Sequence, residues 1–232
     1  MHVETFGPDD GDRVVFVLGW GNRPRHDGVQ WLIDRLVDEG YRVDALEIPR
    51  TITDFDAEYL QPVRDHVADF EEYRLLTHST GGLIARFVDD DAMATRTYLS
   101  PWWGMHESTR NLLVTLLTKL PISRPILPFD AGREELGELA SDVWIADAPD
   151  AAAPTFLREA ERAQARMPPF DAADAVFYNP DDRIVDAGAI EAQAPAENRI
   201  AFEGGHELFN CPAREDHIDA VLAAVDGGIA AL

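Results

Sequence analysis

Ser79, Asp182 and His206 are residue types that together could carry out nucleophilic catalysis. A serine hydroxyl is a weak nucleophile at neutral pH and needs an adjacent base. His206, in the turn Gly204-Gly205-His206 behind an apolar run, is the best candidate for that base. Such a base needs a carboxylate to fix its tautomer and stabilise the imidazolium. The turn Asn179-Pro180-Asp181-Asp182 offers two, and spacing alone does not separate Asp181 from Asp182. Ser79 stands in Thr77-His78-Ser79-Thr80-Gly81-Gly82, between the apolar run Tyr73-Arg74-Leu75-Leu76 and the helix-like Leu83-Ile84-Ala85-Arg86-Phe87-Val88. A small-x-Ser-x-Gly turn between a strand and a helix thrusts its serine into the open above the sheet edge. Gly81 and Gly82 let the two backbones approach without a Cβ clash, and amides at the helix start point toward the reacting oxygen.

The elements that must position these residues follow from hydrophobic periodicity. Val14-Val15-Phe16-Val17-Leu18 is a continuous apolar run, as in a strand buried on both faces. Val29, Leu32, Ile33, Leu36 and Val37 then recur at helical spacing, with Asp27 and Gln30 as a capping box and Gly40 as the stop. Further strands are expected at 41–48, 73–78, 96–100, 175–178 and 199–202, and helices at about 54–70, 81–90 and 184–193. A last helix carries Ile218, Val221, Leu222 and Val225 on one face. This alternation predicts an α/β fold: three layers, α/β/α, with a doubly wound, mostly parallel sheet. It pauses between about 101 and 170. A structureless loop of that length is improbable, so the segment reads as a helical lid insertion within one domain spanning 1–232. Its expected helices are one bearing Leu112, Leu113, Leu116, Leu117 and Leu120, and two more near 132–140 and 155–166.

With 232 residues the chain is long enough for a substantial core. Its net charge is −23, with 26 aspartates, 17 glutamates, 19 arginines and a single lysine, Lys119. This balance resembles proteins of salt-loving organisms that accumulate molar KCl, where screening quenches self-repulsion and carboxylates keep the surface hydrated. It argues against nucleic acid and anionic membranes as partners. Asp89-Asp90-Asp91 lacks the glycine and terminal glutamate of a calcium loop and reads as a solvated run. One cysteine, Cys211, excludes an intrachain disulfide framework. No basic-then-apolar leader opens the sequence and no apolar run suits a bilayer, so a cytoplasmic protein without membrane insertion is expected. Composition leaves the oligomeric state open.

The chain resembles the α/β-hydrolase superfamily over nearly its whole length. The resemblance rests on the Ser79 turn, on the order Ser, Asp, His, on Asp182-Arg183-Ile184-Val185 and on Gly205-His206 before the last helix. It favours Asp182 over Asp181 as the acid. It implies an oxyanion hole built from the backbone N–H groups of Thr80 and of Trp20, the latter in Leu18-Gly19-Trp20. Two departures stand out: Leu18 replaces a histidine that usually braces this loop, and Thr77 stands where glycine is usual. The resemblance implies a serine hydrolase of the carboxylesterase kind, without metal or organic cofactor, that cleaves an ester-like bond of a small to medium, partly apolar molecule. The same triad serves thioesterases, lactonases, aminopeptidases and acyltransferases, and the fold also occurs in silent binding proteins. An aminopeptidase would need a carboxylate for the substrate amine, for which Glu107 is the candidate; an assembly protein would need an exposed apolar face, such as that of the 107–120 helix. Trp102, Trp103 and Met105 follow a strand end and either line an apolar acyl or alcohol pocket or anchor the insertion to the core. His78 reads as a packing or hydrogen-bonding residue rather than a base, His106 as a surface histidine, and the pair His206-Glu207 and Asp216-His217 lacks zinc-helix spacing.

Overall fold

The computed structural model describes residues 1–106, 116–129 and 131–232. Parallel strands β2 (Arg13–Val17), β3 (Arg42–Glu47), β4 (Tyr73–His78), β5 (Met93–Leu99), β8 (Ala175–Tyr178) and β9 (Arg199–Ala201) form most of a seven-stranded sheet. Its order is β1-β3-β2-β4-β5-β8-β9, and only β1 (His2–Phe6) runs antiparallel. The alternation of side chains along each strand divides the core in two. In β2, Val15 and Val17 enter one apolar cluster while Val14 and Phe16 enter the other. Helix α1 (Asp27–Asp38) and the C-terminal helix α8 (Arg214–Gly227) cover the Phe16 side; α2 (Gln61–Val67) and α3 (Thr80–Ala85) cover the Val17 side. The expected three layers and doubly wound, mostly parallel sheet are present.

Several local expectations differ. β1 escaped periodicity reading: a short edge strand with exposed His2, Val3 and Thr5 has little apolar signal. Gln30 bonds Asp34 instead of closing a capping box with Asp27, because His26 takes the N-cap position and Asp27 lies inside the first turn. The helix expected at 54–70 is a π-helical turn, Asp56–Leu60, leading into α2; Pro62 has no amide for the ladder and crowds the carbonyl four residues back, which a widened turn relieves. Helix α3 stops at Ala85 rather than at 90, and α7 (Ala187–Gln193) starts three residues later than expected.

After β5 the chain enters the insertion. Met105 forms an antiparallel bridge with Val185. The expected 107–120 helix, with Leu112 and Leu113, and the candidate Glu107 fall largely or wholly on 107–115, outside the described residues. Beyond them come β6 (Leu127–Pro128), α4 (Arg133–Leu136), α5 (Asp142–Asp147), β7 (Ala151–Ala152) and α6 (Pro154–Gln164). β6 and β7 pair as a separate ribbon. The stretch expected as one helix at 132–140 is a single turn, ended by Gly137 (φ 150°), and α5 follows as an unforeseen element capped by Ser141 Oγ on Trp144 N. No helix among the described residues is long and apolar enough to cross a membrane.

Candidate active site

The loops after β2, β4, β8 and β9 leave the same edge of the parallel sheet, where such folds hold their ligands. At the end of β4, Ser79 has φ 51° and ψ −115°, a conformation that L side chains rarely adopt. Strain of this kind costs about 1–3 kcal/mol and persists only where the surroundings over-determine it. Here Ser79 N donates to Leu99 O (3.0 Å), and Ser79 O accepts from Gly82 N and Trp102 N (2.9 Å each). A Cβ on Gly81 would lie 2.2 Å from Val17 O, and one on Gly82 2.6 Å from Pro101 Cβ, so the close approach of α3 requires both glycines. Thr77 fits the elbow because its hydroxyl turns sideways and donates to Thr97 O on the next strand (3.3 Å).

His206 and Asp182 meet across the neighbouring loops: His206 Nδ1 lies 2.7 Å from Asp182 Oδ2, and both residues are buried, 3% and 5% exposed. The other Asp182 oxygen accepts from the amides of Ile184 (2.8 Å) and Val185 (3.0 Å), which orients the carboxylate. The exposed Asp181 instead uses its amide to bond Asn179 Oδ1, so only Asp182 faces the histidine. Burial opposes a charged His206, but the attraction and hydrogen bond of Asp182, then the charge of Glu207, outweigh it and raise the imidazole above its ordinary value. With Nδ1–H committed to Asp182, Nε2 is the free nitrogen, and among the described residues this buried atom has no partner.

Ser79 and His206 both line one cavity of about 220 Å³. Ser79, Thr80, His206, His78, Asn22 and Glu207 form its polar floor. The walls are apolar: Trp20 stacks on Phe156 (5.0 Å between ring centres) and meets Phe129 edge-on, while Leu127, Leu136, Trp144 and Leu157 arrive from the insertion. Trp102 and Met105 line this cavity, as one of the two sequence readings has it. Trp103 does not: its Nε1–H donates to Gly82 O and its ring packs on Tyr98, so it anchors the chain behind the elbow. The amides of Trp20 and Thr80 engage no carbonyl among the described residues.

The histidine loop is itself held by the insertion. His206 N donates to Glu135 O (2.7 Å), Glu207 N to Leu136 O (2.8 Å), and Leu139 N to Asn210 O (2.9 Å). Sequence reading missed Asn22, Trp144, Glu207 and Asn210 as site residues. Glu207 is 1% exposed and accepts from Asn22 Nδ2 (2.8 Å), Trp144 Nε1 (2.9 Å) and Asn210 Nδ2 (2.5 Å). Only its place beside His206 marked it in the sequence. His78 is fully buried, with Nδ1 3.0 Å from Asn22 Oδ1; burial first, and the proximity of His206 second, push its imidazole well below the ordinary value.

No family model and no curated protein matches the sequence. Solved structures do match its fold. They include a soluble variant of monoglyceride lipase from Saccharomyces cerevisiae in complex with a substrate analog (TM-score 0.75, 13% identity, 97% of this chain and 90% of that one). Others are a monoacylglycerol lipase from Paleococcus ferrophilus (0.70, 20%, 100% and 99%) and an esterase from Exiguobacterium antarcticum (0.65, 16%, 97% and 95%).

Proposed function

We propose that this chain, which has the α/β-hydrolase fold, is a serine hydrolase that cleaves an ester-like bond in a small to medium, partly apolar molecule. The observation that carries this reading is the buried Asp182–His206 pair, with Nε2 unpartnered among the described residues, whose histidine lines the same cavity as the strained Ser79. Ser79 Oγ attacks the carbonyl carbon as His206 Nε2 takes its proton, and Asp182 supports the imidazolium. The amides of Trp20 and Thr80 receive the oxyanion, together contributing several kcal/mol. His206 returns the proton to the leaving alcohol, then activates water to release the acid from the acyl-enzyme.

The substrate class follows from the walls. An aromatic and aliphatic cavity favours an acyl or alcohol group without charge. The one carboxylate on the cavity floor, Glu207, already accepts on both oxygens, so among the described residues none is open to grip a substrate ammonium as an aminopeptidase would require. In this reading the insertion is a lid, and the acidic surface suits a salt-rich cytoplasm. Hydrolysis of a p-nitrophenyl ester series in molar KCl tests the proposal. Turnover should favour butyrate to octanoate over acetate and palmitate and vanish in Ser79→Ala; equal turnover by the variant would refute the assignment of the nucleophile.

A further inference from the structure

Glu207 presents a problem that the hydrolytic reading leaves unsolved. A carboxylate buried this deeply is costly unless its charge is met by donors. Burial raises the Glu207 carboxyl above its ordinary value, and three N–H groups, each from a different part of the site, offset that cost in part. Asn22 belongs to the turn after β2, Trp144 to α5 of the insertion, and Asn210 to the short turn Leu208–Asn210 that follows the histidine. An ionised carboxylate only accepts, so Asn22 must present Nδ2 to it and Oδ1 to His78. His78 Nδ1–H then donates to Asn22 Oδ1, and every donor in the chain His78, Asn22, Glu207 points toward the same anion.

The backbone makes this geometry consequential. Asn22 N donates to Gly19 O (3.1 Å), closing a turn whose second residue is Trp20. The turn is pressed onto the pair beneath it: a Cβ on Gly19 would lie 2.5 Å from His78 Nδ1 and 2.8 Å from Asn22 Oδ1. The Asn22 side chain therefore sets where the Trp20 amide points, and Glu207 sets the Asn22 side chain.

We propose that Glu207 is a positioning residue of the hydrolytic site: its carboxylate holds the Trp20 turn through Asn22, seats the insertion through Trp144, and lends its negative charge to His206. This rests on the serine-hydrolase reading for the oxyanion role of Trp20, but the links themselves do not depend on turnover. Among the described residues, the titratable groups around His206 are Asp182 from the β8 loop, His78 from the end of β4 and Glu207 itself, with Cys211 beside the preceding Gly205; from the insertion, the Glu135 carbonyl accepts from the His206 amide.

Glu207→Gln keeps the shape and removes the charge. Two readouts in molar KCl apply to it: the His206 imidazole titration by NMR, and kcat and KM for an ester. The His206 midpoint should shift to lower pH, and kcat should fall by about tenfold to a hundredfold with KM within about threefold, since a displaced oxyanion donor acts on the transition state. A folded variant whose His206 titration and kcat both match wild type overturns the proposal. Should that variant fail to fold, Asn22→Ala leaves the carboxylate and triad in place and must still lower kcat by about tenfold; no loss there also overturns it. A wild-type protein inert toward esters would refute the hydrolase reading alone, and the NMR shift would then decide the fate of Glu207.

Discussion

At Ser79 and His206 the proposed chemistry rests on two costs that the surroundings hold in place, a left-handed serine backbone and a buried imidazole facing two carboxylates. His206 must be neutral to accept a proton, so activity should fall as pH drops through its raised folded value. The acid limb of kcat/KM against pH is therefore expected to have its midpoint above 6.5, the ordinary histidine value; a midpoint below it would show that burial outweighs the carboxylates. The same shift acts on stability with the opposite preference. A raised folded pKa contributes stability that is complete below 6.5 and disappears as pH rises through the folded value, so this group alone makes the fold firmest where the proposed catalysis is slowest. Asp182→Asn should cost about 10³–10⁴-fold in kcat because the wrong tautomer meets the serine. The proposed roles of Ser79 and His206 were legible in the sequence because each is a reactive type in a turn after an apolar run; the turn offered Asp181 and Asp182 alike, and only the family resemblance favoured Asp182. Asn22 and Glu207 were not, since their pairing joins residues far apart in sequence and no local pattern announces it.

Among the elements, the elbow and the insertion differ in how firmly sequence dictates them. α3 must lie against β2, and Gly81→Ala would push a methyl group to 2.2 Å from Val17 O. A clash with backbone on that scale costs about 3 kcal/mol or more and should lower the thermal midpoint by about 10 °C; an unchanged midpoint in calorimetry would mean that α3 can retreat. Alternating and helical periodicities found the inner strands and the long helices because those elements bury continuous apolar faces. The insertion was only partly legible: its pieces are a few residues long and are fixed by contacts with the core. Asp147 of α5 shows this, since its Oδ2 takes Arg23 Nη1 (3.2 Å), His26 Nε2 (3.2 Å) and Arg50 Nη2 (3.0 Å) from two core loops. Asp147→Ala should speed amide hydrogen exchange across 142–148 while leaving exchange in β4 unchanged. Equal protection in both proteins would assign the seat of α5 to Trp144 alone.

For the whole molecule, charge dominates. Single surface ion pairs contribute little, but a net −23 on 232 residues is a repulsion shared by the entire surface. Raising KCl from about 0.1 M to about 1 M shortens the screening length from about 10 Å to about 3 Å, so the thermal midpoint should climb steadily over that range. A flat or falling midpoint would remove the salt adaptation read from composition. The net charge was legible from residue counts alone, whereas the 220 Å³ cavity depends on how the insertion packs at the sheet edge and had no sequence signature beyond Trp102 and Met105.

An activated nucleophile at Ser79 should react covalently with a fluorophosphonate probe in molar KCl. The modified residue would be located by mass spectrometry in wild type, Ser79→Ala and Asp182→Asn. Labelling should occur at Ser79 in wild type, be absent in Ser79→Ala and be slow in Asp182→Asn. A folded wild-type protein that takes no label, or takes it at another serine, would contradict the nucleophile role of Ser79.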